Sequence, residues 1–161
     1  MDIQVQFDHL FQTHYPKVYR LCKGYLQGDH DLASDAAQEV FVKVWEKRDT
    51  FRKEANISTW IYRITVNTCL LHLRAQNNRK TVRTEYPVTV PEPTSDDGFE
   101  LRRQKMYTCI QKLDPTGKII ILMVLEGEEY SAIASVIGTS EDTLRVRIHR
   151  IKKLLTQCVQ S

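Results

Sequence analysis

The sequence predicts an all-α protein of two small helical domains joined by a flexible linker, the second of them a helix-turn-helix. Apolar residues recur at helical spacing in both halves of the chain. Between the halves, residues 79–98 contain three prolines and show no apolar period. Near the C-terminus, two amphipathic segments meet at Gly138. We therefore expect domains at residues 1–78 and 99–161.

The first half of the sequence predicts three helices. The first covers about residues 5–25, and Pro16 inside it predicts a kink or a break. A turn with two aspartates precedes the second helix, at about residues 31–47, and either aspartate can cap it. The third begins with Ser58 as its cap and is apolar around most of its circumference, which predicts a central position. Asn67 flanks its buried stripe, where it needs a hydrogen-bond partner.

The second predicted helix has one apolar and one acidic face. The expected buried stripe is Leu32, Ala36, Ala37, Val40 and Val44. The outward set is Asp35, Gln38, Val42 and Glu46, with Glu39 on the flank. Taken alone, such an outward acidic face indicates a solvated surface.

The loop at residues 48–57 places Phe51 among Arg48, Arg52 and Lys53. An aromatic ring among cations can stack on an unpaired base while the cations hold phosphate. The equal alternative is that Phe51 folds back onto the core and anchors the loop by apolar packing.

The second half begins with a short helix from about residue 99, which Asp114 and Pro115 end. The run KIIILMVL follows. Its periodicity fits a buried strand or a buried helix, and its isoleucines favour the strand.

Residues 129–155 predict two helices around a sharp turn. Gly138 ends the first helix, and Thr139 or Ser140 caps the second. The inward positions of the second helix are Leu144, Ile148, Ile151 and Leu155. Five basic residues and no acid lie between Thr143 and Lys153. A basic face is often merely solvated, but here the acids are confined to the helix start, which favours a helix that enters the DNA major groove.

Charge is distributed unevenly, although the net charge is only +3. Residues 1–80 hold 12 basic against 9 acidic residues, residues 81–100 hold 1 against 5, and residues 101–161 hold 10 against 6. Two basic blocks around an acidic connector suit two modules that face nucleic acid.

The four cysteines are scattered and include no CxxC pair. This spacing argues against a zinc site and predicts buried or idle thiols in a reducing compartment. No secretory signal is visible, and no window reaches the roughly 20 apolar residues of a membrane span. We expect a soluble, cytoplasmic protein with no direct membrane insertion.

The chain resembles the sigma-70 family, specifically the extracytoplasmic-function (ECF) sigma factors of bacteria. The segment DLASDAAQEVFVKVWEK is similar to that family's polymerase-binding helix. The segment TFRKEANISTWIYRITVNTCLLHLR is similar to its promoter-melting loop and the helix that follows, and residues 113–155 are similar to its C-terminal domain. The ordered set, arranged around a proline-rich linker, is highly specific.

The resemblance implies a non-enzymatic factor that binds core RNA polymerase, recognises and melts promoter DNA, and is controlled by an anti-sigma factor. It also implies that KIIILMVL is helical, and it implies no catalytic residue, metal or cofactor. The implied polymerase contacts are Asp35, Gln38, Glu39 and Phe41. The implied minus-ten residues are Phe51, Arg52, Lys53, Thr59, Trp60, Arg63 and Asn67. The implied minus-thirty-five residues are Thr143, Arg145, Val146, Arg147, His149, Arg150 and Lys153.

Two other functions fit parts of the sequence. A repressor or activator could use the same helix-turn-helix without entering polymerase, but it needs neither an aromatic melting loop nor an acidic docking helix. A protein–protein adaptor that mimics a sigma factor could lose the basic recognition face, which this chain keeps.

Overall fold

The computed structural model describes residues 3–51, 56–78 and 97–161, which contain seven α-helices, one 3₁₀ turn and no strand. The helices are α1 (Ile3–Tyr25), α2 (His30–Glu46), α3 (Ile57–Asn78), α4 (Asp97–Gln111), α5 (Pro115–Leu125), α6 (Tyr130–Ile137) and α7 (Glu141–Gln160), and the 3₁₀ turn is Arg48–Thr50. The all-α prediction is confirmed. Residues 79–96 of the predicted linker lie outside the described residues, and its last two residues begin α4.

Helix α1 is continuous through Pro16, so the break considered from the sequence does not occur. A proline removes one backbone hydrogen bond and crowds the preceding turn. Residues on both sides of it, His14 and Val18, are buried. Packing therefore holds the two halves of the helix together where local propensity alone favours a break.

Side-chain caps define the starts of α2 and α3. Asp29 caps α2, because its carboxylate accepts from the Leu32 amide at 3.1 Å. The predicted Ser58 cap of α3 is wrong, since Asn56 accepts from the Ser58 amide at 2.9 Å and Ser58 is the second residue of the helix. The Ser58 hydroxyl instead lies 3.1 Å from Nε2 of His14 and links α3 to α1.

The apolar run at residues 118–125 is helical, as the resemblance implied, and the strand alternative is wrong. Asp114 caps α5 by accepting from the Gly117 amide at 3.2 Å, and Pro115 occupies the first helical position. Asp114 and Pro115 therefore start a helix here, although the run that follows is rich in β-branched isoleucine. Every residue from Gly117 to Met123 is buried.

Helices α1–α3 and α4–α7 form two groups that share one apolar core. Helix α5 packs against α1 as well as α4, α6 and α7, and α6 packs against α3. A cavity of about 10 Å³ at the junction is lined by residues of both groups: Leu21, Tyr25, Thr65, Val66, Cys69, Ile119, Leu122 and Met123. Burial of a side chain such as Leu122 is worth roughly 1.5–3 kcal/mol relative to exposure. The junction is therefore an apolar interface that stabilises the fold.

The cysteines come together in two pairs. The expectation of buried or idle thiols is confirmed for Cys22 and Cys69, which are buried, and is wrong for Cys109 and Cys158. Cys109 and Cys158 form a disulfide between α4 and α7. Cys22 and Cys69 are buried free thiols whose sulfur atoms lie 3.6 Å apart, between α1 and α3. Helix packing brings together residues that are 49 positions apart in the first pair. Spacing along the chain carries no signal of such a pairing.

Loss of the Cys109–Cys158 link should lower the free energy of unfolding by about 2–4 kcal/mol, because the link closes a loop spanning 49 positions in the unfolded chain. Urea unfolding of the oxidised protein and of a Cys109→Ser/Cys158→Ser variant measures the difference. Reductant should not destabilise the double variant further. Titration of four free thiols in protein purified without reductant would contradict the link.

Candidate functional site

A glycine turn and a serine cap build the helix-turn-helix. Gly138 has φ of +83°, which is the left-handed region that glycine adopts at little cost, and its amide donates to the carbonyl of Ala134 at 2.8 Å. Of the two predicted caps, Ser140 is the one used, because its hydroxyl accepts from the Thr143 amide at 3.2 Å. The turn therefore has the local structure that the sequence predicted.

Helix α7 separates its apolar and polar residues as predicted. Leu144, Ile148, Ile151 and Leu155 are all buried. The predicted DNA-reading residues Thr143, Arg145, Val146, His149, Arg150 and Lys153 are exposed, and Arg147 is partly buried. An apolar side chain more than half exposed, as Val146 is at 51%, has no packing role here and is available for a thymine methyl.

In the free protein, Arg145 forms ion pairs with two acids at the start of α7. Its guanidinium lies 3.7 Å from a Glu141 carboxylate oxygen and 3.5 Å from one of Asp142. Exposed pairs of this length contribute little stability. Breaking these ion pairs so that Arg145 can contact a base edge therefore costs little free energy.

The loop that the resemblance assigns to promoter melting contacts α3 through an aromatic pair. Phe51 is partly buried, and its ring centroid lies 5.2 Å from that of Trp60. The ring has a packing partner, as the anchor alternative expects, and it retains an accessible side. Stacking of a base on that side stays a prediction. Thr59 is buried and offers no side chain to a ligand. The predicted contacts Arg52 and Lys53 lie outside the described residues.

The outer edge of α3 carries Arg63 and Asn67, both exposed. The expectation that Asn67 flanks the buried stripe and needs a partner is wrong. Thr65 and Thr68 take the inward positions instead, and each hydroxyl donates 2.8 Å to the carbonyl four residues earlier. Threonine can satisfy its hydroxyl proton in this way, and the Thr68 oxygen also accepts from Nζ of Lys43 on α2 at 3.2 Å.

The outward side of α2 presents the predicted polymerase contacts unevenly. Asp35 and Gln38 are exposed. Glu39 lies 2.7 Å from Nε2 of His72 and 3.4 Å from Nζ of Lys43. Hydrogen bonding to His72, aided by the Lys43 charge, lowers the pKa of Glu39, so its carboxylate stays ionised. Any partner that contacts the Glu39 carboxylate must therefore share it with His72 of α3.

An open apolar groove of about 520 Å³ lies beside Gln38, between α1 and α2. Its lining is Phe7, Phe11, Gln38, Phe41, Val42 and Trp45. The predicted contact Phe41 is itself buried and forms the floor, with its ring centroid 4.9 Å from that of Phe11. Sequence reasoning missed Phe7 and Phe11 because both follow the apolar helical spacing of α1, which indicates a core position. The outward Val42, 55% exposed, was the one available signal of an apolar surface here.

Comparison with known families agrees with this geometry. A model of sigma-70 region 2 matches residues 10–79, and a model of sigma-70 region 4 matches residues 103–155. The chain belongs to the sigma-70 family, in its ECF group. It is an RNA polymerase sigma factor that directs promoter-specific transcription initiation.

Named relatives and solved structures cover nearly the whole sigma factor. The ECF sigma factor SigM of Mycobacterium tuberculosis is 26% identical over 94% of this chain and 76% of its own length. The ECF sigma-E factor of Escherichia coli is 29% identical over 98% of this chain and 88% of its own. RpoE of Bartonella quintana, solved with the anti-sigma factor NepR, has a TM-score of 0.74 at 20% identity, covering 96% of this chain and 97% of that one.

A second solved structure, CnrH in complex with the cytosolic domain of CnrY, has a TM-score of 0.72 at 21% identity. It covers 98% of this chain and 89% of that one. Within the part of the chain that the structure describes, no helix has the length and apolar character needed to cross a bilayer.

Arg145→Ala should weaken promoter binding by about 1–3 kcal/mol and relax preference at one base pair, because arginine is the natural bidentate reader of guanine. Lys153→Ala should weaken binding to all sequences similarly and lower the salt slope by about one unit, as expected for a phosphate contact. Both side chains are exposed, so the fold should survive either change. Selection from a randomised minus-thirty-five element, with a salt titration, measures both effects. A base preference altered by Lys153→Ala and not by Arg145→Ala would contradict this division.

Proposed function

We propose that this sigma factor uses three surfaces in transcription initiation. One docks on core RNA polymerase, one opens the minus-ten element and one reads the minus-thirty-five element. Residues 1–78 form the region 2 domain, which docks on core RNA polymerase and opens the minus-ten element. Residues 99–161 form the region 4 domain, which reads the minus-thirty-five element through α7. Residues 79–98 connect the two domains.

The pairing of Phe51 with Trp60 carries the melting part of the proposal. The pair lies where the loop enters α3, and Phe51 keeps an accessible side. A base flipped from the non-template strand can stack on that side, and each such stack is worth about 1–3 kcal/mol. Because unstacking a base costs a similar amount, capture shifts the equilibrium toward open DNA. Arg63 and Asn67, exposed on the same helix, are the proposed polar contacts to this element.

The outward face of α2 supports the docking part. A groove floored by Phe41 includes the exposed Gln38 in its lining, and the exposed Asp35 precedes Gln38 by about one turn of α2. Apolar grooves with a polar rim are typical sites for a partner helix. Asp35, Gln38 and the ionised Glu39 give this rim negative or polar character, which suits a basic helical surface on polymerase.

An anti-sigma factor is the proposed regulator. The sigma factor RpoE was solved with the anti-sigma factor NepR, and CnrH was solved with the cytosolic domain of CnrY. We also propose that the protein acts in the cytoplasm, where polymerase is found, and has no enzymatic activity of its own. A repressor that never enters polymerase is disfavoured by the docking groove, for which it has no use.

Two variants should separate docking from melting. Asp35→Ala/Gln38→Ala removes exposed rim side chains and should reduce core polymerase affinity with little change in stability. Phe51→Ala should keep polymerase affinity and lower open-complex formation by about tenfold, as expected for the loss of one base stack.

A polymerase binding titration and permanganate footprinting of unpaired thymines measure the two effects. Ser34→Ala, on α2 but not on the groove, serves as the matched control. Normal promoter opening by Phe51→Ala, together with a large fall in its melting temperature, would leave Phe51 as a core anchor and end its proposed role in base capture.

A further inference from the structure

Helix α4 has very few buried side chains to hold it in the fold. Among the described side chains of α4, only Cys109 and Ile110 are buried, and Phe99 and Leu101 are more than half exposed. Most of the stability of a helix in a protein comes from packing of its apolar face, and α4 packs little of one. Its attachment to the domain therefore depends on contacts near residue 109.

The strongest of these contacts is the Cys109–Cys158 disulfide, which joins α4 to the last turn of α7. At the same end of the two helices, Nζ of Lys105 donates to the Ser161 carbonyl at 2.7 Å. A hydrogen bond at an exposed position contributes little on its own. The disulfide is therefore the main link between α4 and the recognition helix.

The two sulfur-bearing residues of this disulfide differ in exposure. Cys109 is buried, whereas Cys158 is partly exposed. Because an attacking thiolate must reach one sulfur of the disulfide, access favours attack at Cys158. Cys22 and Cys69 differ from this pair, since both are buried free thiols. A hydrogen bond to Cys22, together with burial, raises the pKa of Cys69, so its thiol stays protonated and unreactive.

We propose that Cys158 is a site of thiol–disulfide exchange with a dithiol reductant, and that the α4–α7 disulfide is a redox switch on the domain that carries the recognition helix. The inference rests on the proposed cytoplasmic location and on the proposed role of α7 in reading DNA. Disulfides in cytosolic proteins are rare, and those that occur are usually transient or redox-sensing. A partly exposed disulfide that holds a poorly packed helix fits this second class.

A dithiol opens the disulfide in two steps. One reductant thiolate attacks Sγ of Cys158, which forms a mixed disulfide and releases Cys109 as a thiolate. The second reductant thiolate attacks the reductant sulfur of the mixed disulfide, and Cys158 leaves as a thiolate. The two protons from the reductant thiols end on the two cysteines, which gain two electrons, while the reductant becomes a disulfide. The reverse exchange with the oxidised form of the same dithiol closes the link.

Reduction should release α4 and weaken the docking of α7. Without the disulfide, Ile110 is the one described side chain that α4 still buries by apolar packing alone. Helix α7 loses its attachment one turn beyond Leu155, which is the last of its buried residues. The apparent affinity for DNA then falls with the fraction of chains in which α7 is displaced. The oxidised protein is therefore the tighter promoter binder.

Reduction kinetics under native conditions test the exchange site. Dithiothreitol, a small dithiol, should expose two thiols to a maleimide at a rate that is proportional to its concentration and unchanged by low urea. Mass spectrometry should find the label on Cys109 and Cys158, with Cys22 and Cys69 unlabelled. A rate that does not depend on dithiothreitol and rises with urea would show that reduction requires unfolding, and it would overturn the exchange site.

Trypsin cleavage measures the docking of α4. Arg102, Arg103 and Lys105 are exposed but helical, so cleavage after them requires local opening. It should be at least about tenfold faster in the reduced protein, because the disulfide no longer restrains the open chain. Cleavage after Lys23, exposed on α1, is the internal control and should not change.

A Cys109→Ser/Cys158→Ser variant should be cut in α4 at the fast rate with or without reductant. Equal cleavage of oxidised and reduced wild type in α4 would overturn the release of α4. The comparison of the two wild-type states needs no substitution, so it decides the matter even if the double variant does not fold.

Promoter binding by the holoenzyme separates this inference from the proposed function. Oxidised holoenzyme should bind a promoter with an intact minus-thirty-five element about threefold or more tightly than reduced holoenzyme. Holoenzyme made with the double variant should bind like the reduced form in both conditions, which controls for effects of the reductant on polymerase. Holoenzyme that is inactive in both states refutes the proposed function. Active holoenzyme with equal affinity in both states overturns the redox switch alone.

Discussion

The structure depends on the burial of α5 on two sides. Its residues from Gly117 to Met123 are all buried. A group as small as the four helices α4–α7 does not by itself cover every side of such a helix. Helices α4, α6 and α7 cover one side, while α1 and α3 cover the side formed by Ile119, Leu122 and Met123. Lys118 is buried at the same junction, with its ammonium 3.5 Å from the Tyr25 carbonyl and 5.3 Å from the Tyr25 ring centroid. The apolar run that makes region 4 stable also joins it to region 2.

The burial of α5 also determines the surroundings of α3. Helix α3 is central, as its wide apolar circumference predicted, and its inward threonines bond to their own backbone. Arg63 lies on its exposed edge. Because α6 approaches α3 when α5 packs on α1, the same geometry that completes the core brings Ser135 to Arg63.

Most features that depend on neighbours in the sequence were predictable, although the Ser58 cap was predicted wrongly. Contacts that join distant elements were not predictable. The inward residues of α7, the turn at Gly138 and the cap at Ser140 follow from local periodicity and backbone chemistry. The Cys109–Cys158 link, the pairing of Glu39 with His72, and the part that Phe11 plays in the groove each join residues from distant elements. The Asn67 error has the same origin, because the inward direction of α3 is set by α1, α2 and α6 as well as by its own pattern.

Solution scattering from the free protein tests the central claim most directly. If α1 and α3 cover the second side of α5, the scattering should fit one compact particle with a radius of gyration of about 15 Å, the value expected for a single folded body of this length. A two-lobed distance distribution with a clearly larger radius of gyration would show that the second side of α5 is not covered by region 2, and it would contradict the account.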